Sequence, residues 1–181
     1  MAAGTAMSSY WRCLRDALPF LAVVGPFAML FGVLATEAGL AVHETMGFSI
    51  VVIAGAAQFT ALQLINENAP TLVVIASALA VNLRMAMYSA SITPHLGPLP
   101  LWKRGIAAYF LVDQTYAQSI LDYEKNPDQT TAQKFAYFMG VMTPICPPWY
   151  LFTYLGAVLG ESIPANLGLD FALPIAFLAM I

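Results

Sequence analysis

The sequence predicts an all-α polytopic membrane protein, with about six transmembrane or partly re-entrant helices that include proline-broken segments. Of the 181 residues, 60% are hydrophobic and 9% are charged, whereas soluble domains carry about a quarter charged residues. Apolar runs approaching the length of a membrane-spanning helix recur along the chain, and the polar gaps between them are short. We therefore interpret residues 1–181 as a single transmembrane domain.

Several classes of function have no support in the sequence. No basic cluster with interleaved aromatic residues occurs, so nucleic acid is not an expected partner. Cys13 and Cys146 lack the spacing of metal ligands, and we interpret them as packing residues. No nucleophile–base pair, metal cluster or phosphate-binding loop stands out. We expect neither an enzyme nor a protein that holds a cofactor or a metal ion.

The first predicted helix runs from Ala17 to about Leu40 and follows Arg12 and Arg15. Its apolar stretch is longer than that of a usual secretory signal, which predicts an uncleaved first span. The Gly25-Pro26 pair predicts a kink or a break, because proline lacks an N–H and its ring crowds the carbonyl four residues earlier. Such a break exposes helix ends to a central cavity in transporters; a simple kink packed by its neighbours is the alternative.

The second predicted helix covers about Phe48 to Ile65. A run of small residues around Gly55 allows another backbone to approach closely. Gln58 carries an uncharged amide that needs hydrogen-bond partners in a membrane, and it acts either as structural glue between helices or as a solute ligand. Residues 66–70 contain Asn, Glu and Pro and predict a turn.

The third predicted helix, Thr71–Ile92, carries Asn82 and Arg84 at its middle. A cation at mid-membrane costs roughly 2.5–3.5 kcal/mol on insertion scales, so it requires a partner or water. Since the two residues are two apart, they point to different sides of a regular helix. Either the helix has polar neighbours on two sides or it is locally unwound there. Tyr88 lies four residues after Arg84 and shares its face.

The fourth predicted helix, about Gly105 to Asp122, places Asp113 at mid-depth as the other buried-looking charge. A desolvated carboxyl is a plausible proton carrier. We expect Arg84, Asn82 and Asp113 to meet and to mark a polar path for a small solute. Residues 122–134 predict an aqueous loop. A connector and an interfacial anchor precede the helix, at Pro94, Pro98 and Pro100 and at Trp102, Lys103 and Arg104.

The fifth predicted helix begins near Phe135 and is expected to break at Pro144 and Pro147. Gly156 and Gly160 in its second half form a GxxxG face for close helix packing. The last apolar segment, residues 167–181, ends before it crosses the hydrocarbon layer comfortably. Each half of the chain holds a proline-broken apolar segment, a pattern compatible with inverted repeats.

Six segments together resemble the AzlC-type branched-chain amino acid exporter (LIV-E) permease family. In family order they are GPFAMLFGVLATEAGL (25–40), AGAAQFTAL (54–62), VNLRMAMYSAS (81–91), LVDQTYA (111–117), LGAVLG (155–160) and LGLDFALPIAFLAM (167–180). The chain departs from the family pattern at two positions. The common His after NLR is Met85 here, and the acidic pair often found as Asp-Glu reads Asp113-Gln114.

The resemblance implies a multi-pass permease subunit of the bacterial inner membrane that exports branched-chain or related hydrophobic amino acids by proton-coupled secondary transport. The implied substrates are valine, leucine, isoleucine and methionine, and the implied partners are a small hydrophobic AzlD-type membrane subunit and the lipid bilayer. The C-terminal helices typical of the family are expected to be missing from this single permease domain.

A zwitterionic aliphatic amino acid requires an anion site, a cation site and an apolar slot. Arg84 or the N-terminus of a broken helix suits the carboxylate, and Asp113 or unwound carbonyl groups suit the ammonium group. The predicted substrate-binding residues are Gly55, Gln58, Asn82, Arg84, Tyr88 and Asp113, with helix breaks near them at Gly25, Pro26, Pro144 and Pro147. The alternatives are a membrane channel, or a non-transporting scaffold subunit in which Arg84 and Asp113 form a structural pair.

Overall fold

The computed structural model describes residues 6–162, and every regular element within them is a helix. A 3₁₀ turn, Leu18–Phe20, joins the first two of nine α-helices in this range. The helices are α1 (Ala6–Ala17), α2 (Leu21–Glu37), α3 (Val42–Val51), α4 (Gly55–Asn66), α5 (Thr71–Leu96), α6 (Leu101–Tyr109), α7 (Asp113–Lys125), α8 (Thr131–Met142) and α9 (Cys146–Glu161). The all-α class is confirmed. The helix expected over residues 167–181 lies outside the described residues.

Two helical stretches of the described chain are long and apolar enough to cross a membrane. They are Ser9–Glu37, with 29 residues, and Thr71–Leu96, with 26 residues. None of the residues in the most apolar part of Thr71–Leu96 is buried. The apolar surface of α5 is therefore available to hydrocarbon rather than hidden in a core. Judged by helix length and apolar composition, the described residues contain two candidate membrane spans.

The predicted second and fourth helices are wrong as continuous elements. Each is interrupted by three non-helical residues, 52–54 between α3 and α4 and 110–112 between α6 and α7. Backbone dihedrals at the ends of the breaks are extended, with φ −148° and ψ 96° at Ala54 and φ −106° and ψ 170° at Val112. Neither break contains a proline, so the usual local signal for a helix end is absent.

Side chains from the helix that follows stabilise both breaks. Gln58 of α4 donates from its Nε2 to the carbonyl oxygen of Val52 at 2.6 Å. Thr115 of α7 donates to the carbonyl oxygen of Phe110 at 2.8 Å and accepts from the backbone N–H of Val112 at 2.9 Å. Gln58 and Thr115 are both fully buried. These bonds satisfy backbone groups that lose their helical partners at the breaks.

Two prolines, Pro26 and Pro94, lie inside helices rather than at the break and the connector expected there. Pro26 lies inside α2, so of the predicted kink or break at Gly25-Pro26 the break is wrong, and the interruption falls at Pro19 in the 3₁₀ turn. Pro94 lies inside α5 rather than in a connector. A membrane helix tolerates proline where neighbouring groups and small local adjustments satisfy the freed carbonyl.

The predicted interruption of the fifth helix is confirmed. Residues 143–145 form the turn that separates α8 from α9, and Pro144 lies at its centre. Pro147 instead occupies the first turn of α9. A missing N–H costs nothing at that position, because the first N–H groups of a helix have no intrahelical acceptor.

The chain divides into two compact units. Among the described residues, the first unit comprises residues 6–22 together with Arg84–Pro147, and the second comprises Val23–Leu83 together with residues 148–162. In the first unit, α1 packs on α8 where Gly140 admits the backbone of Tyr10: a Cβ on Gly140 would lie 2.6 Å from the Tyr10 carbonyl oxygen. Cys13 and Cys146 are buried and unpaired, as expected of packing residues.

The second unit has an aromatic core in which Phe31 is fully buried. Its ring centroid lies 5.7 Å from that of Phe48 and 5.8 Å from that of Phe59, both in edge-to-face geometry. Such pairs add about 0.5–1.5 kcal/mol to the burial of apolar area. This core links α2, α3 and α4 on the two sides of the 52–54 break.

Candidate functional site

An ion pair joins the two charges that the sequence singles out within apolar stretches. Arg84 Nη2 of α5 lies 3.0 Å from Asp113 Oδ2 of α7, and both residues belong to the first unit. The Arg84 and Asp113 side chains are 28% and 40% exposed. The expected meeting of Arg84 with Asp113 is confirmed, whereas Asn82, which was expected to join them, belongs to the second unit.

The sequence predicts Asp113 at the middle of a helix. In the structure it is instead the first residue of α7. The 110–112 break places the Asp113 carboxylate beside the free N–H groups of a helix N-terminus, where a negative charge is favourable by about 0.3–1 kcal/mol. Arg84 lies within an α5 helix that is continuous from Thr71 to Leu96, so the locally unwound alternative is not observed.

The ion pair leaves one hydrogen-bonding atom of each partner unused. Arg84 Nε and Asp113 Oδ1 are both buried, and neither makes a hydrogen bond of ordinary geometry within the described residues. The Tyr88 hydroxyl also interacts with the Asp113 carboxylate. An unsatisfied buried donor or acceptor costs about 1–3 kcal/mol. Because both atoms are buried, a ligand with complementary charges reaches this donor and this acceptor only when the two side chains rotate or move apart.

Two tyrosines form an aromatic surface next to the ion pair. The Tyr88 and Tyr116 rings stack with centroids 4.2 Å apart and planes 9° apart, and the Tyr116 hydroxyl lies 2.8 Å from Ser91 Oγ. Tyr116 and Ser91 were not among the predicted site residues. The sequence spacing could have identified Tyr116 as a site residue. It follows Asp113 by three residues, just as Tyr88 follows Arg84 by four, and such spacings place two residues on one helix face.

The other predicted residues lie in the second unit. Gly55 is the first residue of α4, and a Cβ there would lie 3.0 Å from the indole of Trp149. Trp149 Nε1 donates to Ser49 Oγ at 3.1 Å, and Gln58 Nε2 lies 3.4 Å from the same oxygen. Asn82 Oδ1 is buried and has no partner among the described residues. The six predicted residues thus divide equally between the units.

Sequence reasoning missed a second ion pair in the first unit. Arg12 Nη2 lies 3.1 Å from Asp122 Oδ1, and the Asp122 carboxylate also accepts from Asn126 at 2.9 Å and Gln129 at 2.8 Å. The side chain of Asp122 is 9% exposed. The loop expected over residues 122–134 is reduced to 126–130. Because this carboxylate, unlike that of Asp113, has several partners within the protein, we interpret it as structural.

The neighbouring Tyr123 supports the same corner of the first unit. Its side chain is buried, and its hydroxyl donates to the Lys134 carbonyl oxygen at 2.7 Å. Lys134 Nζ in turn lies 3.1 Å from His95 Nδ1. These contacts connect the ends of α5, α7 and α8.

Replacing Gln58 by leucine is expected to destabilise the protein by about 1–3 kcal/mol, because the carbonyl of Val52 loses its donor. Thermal unfolding of the purified chain in detergent measures this as a lower Tm. Gln63→Leu is the matched control, since Gln63 lies on the same helix and bonds Glu67 at the surface. An equal loss in both variants would contradict a role for Gln58 in stabilising the break.

Comparison with known proteins supports a membrane family. A family model described as AzlC protein matches residues 19–163. The Escherichia coli inner membrane protein YgaZ is 24% identical over 180 residues, covering 96% of this chain and 72% of YgaZ. An uncharacterised membrane protein of Helicobacter pylori is 22% identical over 96% of this chain and 76% of its own length. One from Archaeoglobus fulgidus is 28% identical over 80% of this chain and 60% of its own length. No solved structure matches.

Proposed function

Because the chain belongs to the AzlC family of membrane proteins, we propose that it is a permease subunit that exports zwitterionic aliphatic amino acids. The observation that carries this proposal is the Arg84–Asp113 pair with its unused donor and unused acceptor. An amino acid carries one carboxylate and one ammonium group close together, which is the complementary arrangement. Charge-assisted hydrogen bonds of this kind contribute about 1.5–3 kcal/mol each.

In the proposed complex, Arg84 Nε donates to the substrate carboxylate and Asp113 Oδ1 accepts from the ammonium group. The stacked Tyr88 and Tyr116 rings lie beside the pair and offer an apolar surface to the aliphatic side chain. Valine, leucine, isoleucine and methionine fit this description. Asp113 is the proposed carrier of the coupled proton, because it is the carboxylate of the proposed substrate site.

The proposed architecture is a multi-pass protein of the bacterial inner membrane with about six spans, of which several are discontinuous. In this arrangement α3 with α4, and α6 with α7, each form one broken span. The name of YgaZ as an inner membrane protein supports the location. We propose that a small hydrophobic AzlD-type subunit completes the transporter.

Counterflow of labelled leucine in proteoliposomes tests the proposal, with the 181-residue chain alone and with the small subunit. We expect saturable uptake that responds to a pH gradient. Two leucine analogues provide the sharp test: 4-methylpentanoate lacks the ammonium group, and 3-methylbutylamine lacks the carboxylate. Each is expected to compete at least about tenfold more weakly than leucine. Equal competition by either analogue, or flux that does not saturate, would contradict a zwitterion carrier and favour a channel.

A second candidate is a non-transporting subunit in which the Arg84–Asp113 pair only holds α5 to α7. The direct 3.0 Å contact between the two side chains favours this interpretation. The two candidates differ in what happens when both charges are removed together, because a structural pair is replaceable by neutral groups and a substrate site is not.

A further inference from the structure

A cavity of about 360 Å³ lies within the first unit, between the C-terminal part of α5 and helix α6. Its floor consists of buried apolar side chains, whereas its rim carries exposed residues. Ile92, Leu96, Leu111 and Phe138 form the floor, and Ser89, Thr93, Leu101 and Arg104 lie at the rim. None of these residues belongs to the proposed substrate site.

The charged residue at the rim is a cation, Arg104. Arg104 is exposed and forms no ion pair with any residue in the range 6–162, and no acidic residue lines the cavity. A cavity lined by apolar side chains and one arginine is complementary to an anion that carries a hydrocarbon chain. Gly105 also lines the cavity and is exposed, and a Cβ there would meet no atom within 4 Å, so this position has room for a side chain.

Neighbouring side chains of α6 indicate that this edge lies at the membrane surface. Trp102 is 63% exposed, and Lys103 Nζ lies 5.3 Å from its ring centroid and 5.4 Å from that of Phe135. Tryptophan and basic residues concentrate at the level of the lipid headgroups. Basic pockets between membrane helices bind the phosphate of anionic lipids.

We propose that this cavity binds one anionic phospholipid, with the phosphate on Arg104 and part of an acyl chain over the apolar floor. The volume accommodates a segment of one chain rather than a whole lipid, so the remainder stays in the bilayer. A zwitterionic lipid carries the same phosphate with an added cation, which the Arg104 guanidinium repels. The site therefore distinguishes lipids by headgroup charge.

The test measures the Tm of the purified full chain in detergent after addition of dioleoyl phosphatidylglycerol or dioleoyl phosphatidylcholine. We expect phosphatidylglycerol to raise Tm by roughly 3–8 °C more than phosphatidylcholine does. Arg104→Gln is expected to abolish this difference by removing the cation. Gly105→Leu is expected to abolish it by filling the cavity, with the cation retained.

Two control variants carry the same chemical changes elsewhere. Arg15→Gln removes another exposed cation in the first unit, and Gly47→Leu adds a side chain in α3 where a Cβ also meets no atom within 4 Å. Both are expected to keep the full headgroup effect.

A wild-type chain that responds equally to the two lipids would overturn the proposal, as would an undiminished difference in Arg104→Gln. A shift produced by leucine, 4-methylpentanoate or inorganic phosphate that depends on Arg104 would also overturn it and identify a solute site. If Gly105→Leu fails to fold, the difference in Tm between the two lipids in Arg104→Gln alone decides whether the proposal holds.

Discussion

Gly156→Leu is expected to prevent stable folding of the second unit. A Cβ on Gly156 of α9 would overlap the carbonyl oxygen of Met29 in α2 and lie 2.8 Å from the Met29 carbonyl carbon. Because the obstructing atoms are backbone, the two helices must separate to admit a side chain. Gly32 faces α9 in the same way, where its Cβ would lie 2.6 Å from the backbone nitrogen of Ala157. Overpacking costs about 1–3 kcal/mol where side chains can move, and we expect at least the upper value here.

The measurement is the yield of monodisperse chain after size-exclusion chromatography, followed by the Tm of the fraction that folds. Gly47→Leu is the control within the same unit, since a Cβ at Gly47 meets no atom within 4 Å. Leucine has a better helix propensity than glycine, so this variant is expected to be as stable as the wild type or slightly more stable. Similar losses in the two variants would show that α2 and α9 do not depend on close approach.

The GxxxG spacing of Gly156 and Gly160 predicted this close contact from sequence, because four-residue spacing places two small residues on one helix face. The spacing does not say which helix is the partner. Here α2 takes that place, with Gly32 opposite α9 and Thr36 next to Gly160. Partner choice depends on the tertiary arrangement of the helices, which a single sequence pattern does not contain.

The two helix breaks without proline were not predictable from hydrophobic periodicity. The runs around 52–54 and 110–112 are apolar, and an apolar run predicts a continuous membrane helix. Hydrogen bonds from Gln58 and Thr115 to carbonyl groups five to six residues earlier stabilise the extended backbone there. Conversely, Pro26 lies inside α2, because local proline signals are overridden where the surrounding chain supports the helix.

The pairing of Arg84 with Asp113 was predictable, because two charges within apolar stretches gain most from each other. The position of Asp113 at a helix N-terminus was not, since it follows from the unpredicted break at 110–112. The unused Arg84 Nε and Asp113 Oδ1 are likewise visible only in the structure. The sequence therefore indicated which residues meet, and the geometry indicates what they can bind.

Neutralising either member of this pair is expected to reduce leucine counterflow strongly at leucine concentrations that suffice for the wild type. Arg84→Gln and Asp113→Asn each remove one of the two proposed substrate contacts, which corresponds to a loss of about 10-fold to 100-fold in apparent affinity. Each also leaves its partner charge unpaired. Because the side chains are 28% and 40% exposed, water screens that charge, and we expect a stability loss of about 1–2 kcal/mol rather than the value for a fully buried pair.

The double variant Arg84→Gln/Asp113→Asn separates the two candidate functions. It contains no unpaired charge, so its Tm is expected to return close to that of the wild type while counterflow stays strongly reduced. Arg12→Gln/Asp122→Asn is the matched control, since this ion pair has nearly the same length, 3.1 Å, and lies in the same unit. We expect it to lower Tm, because Asn126 and Gln129 lose their carboxylate, and to leave the analogue selectivity of the folded fraction unchanged. Restored leucine counterflow by the Arg84/Asp113 double variant would show that the pair holds helices together and does not bind the solute.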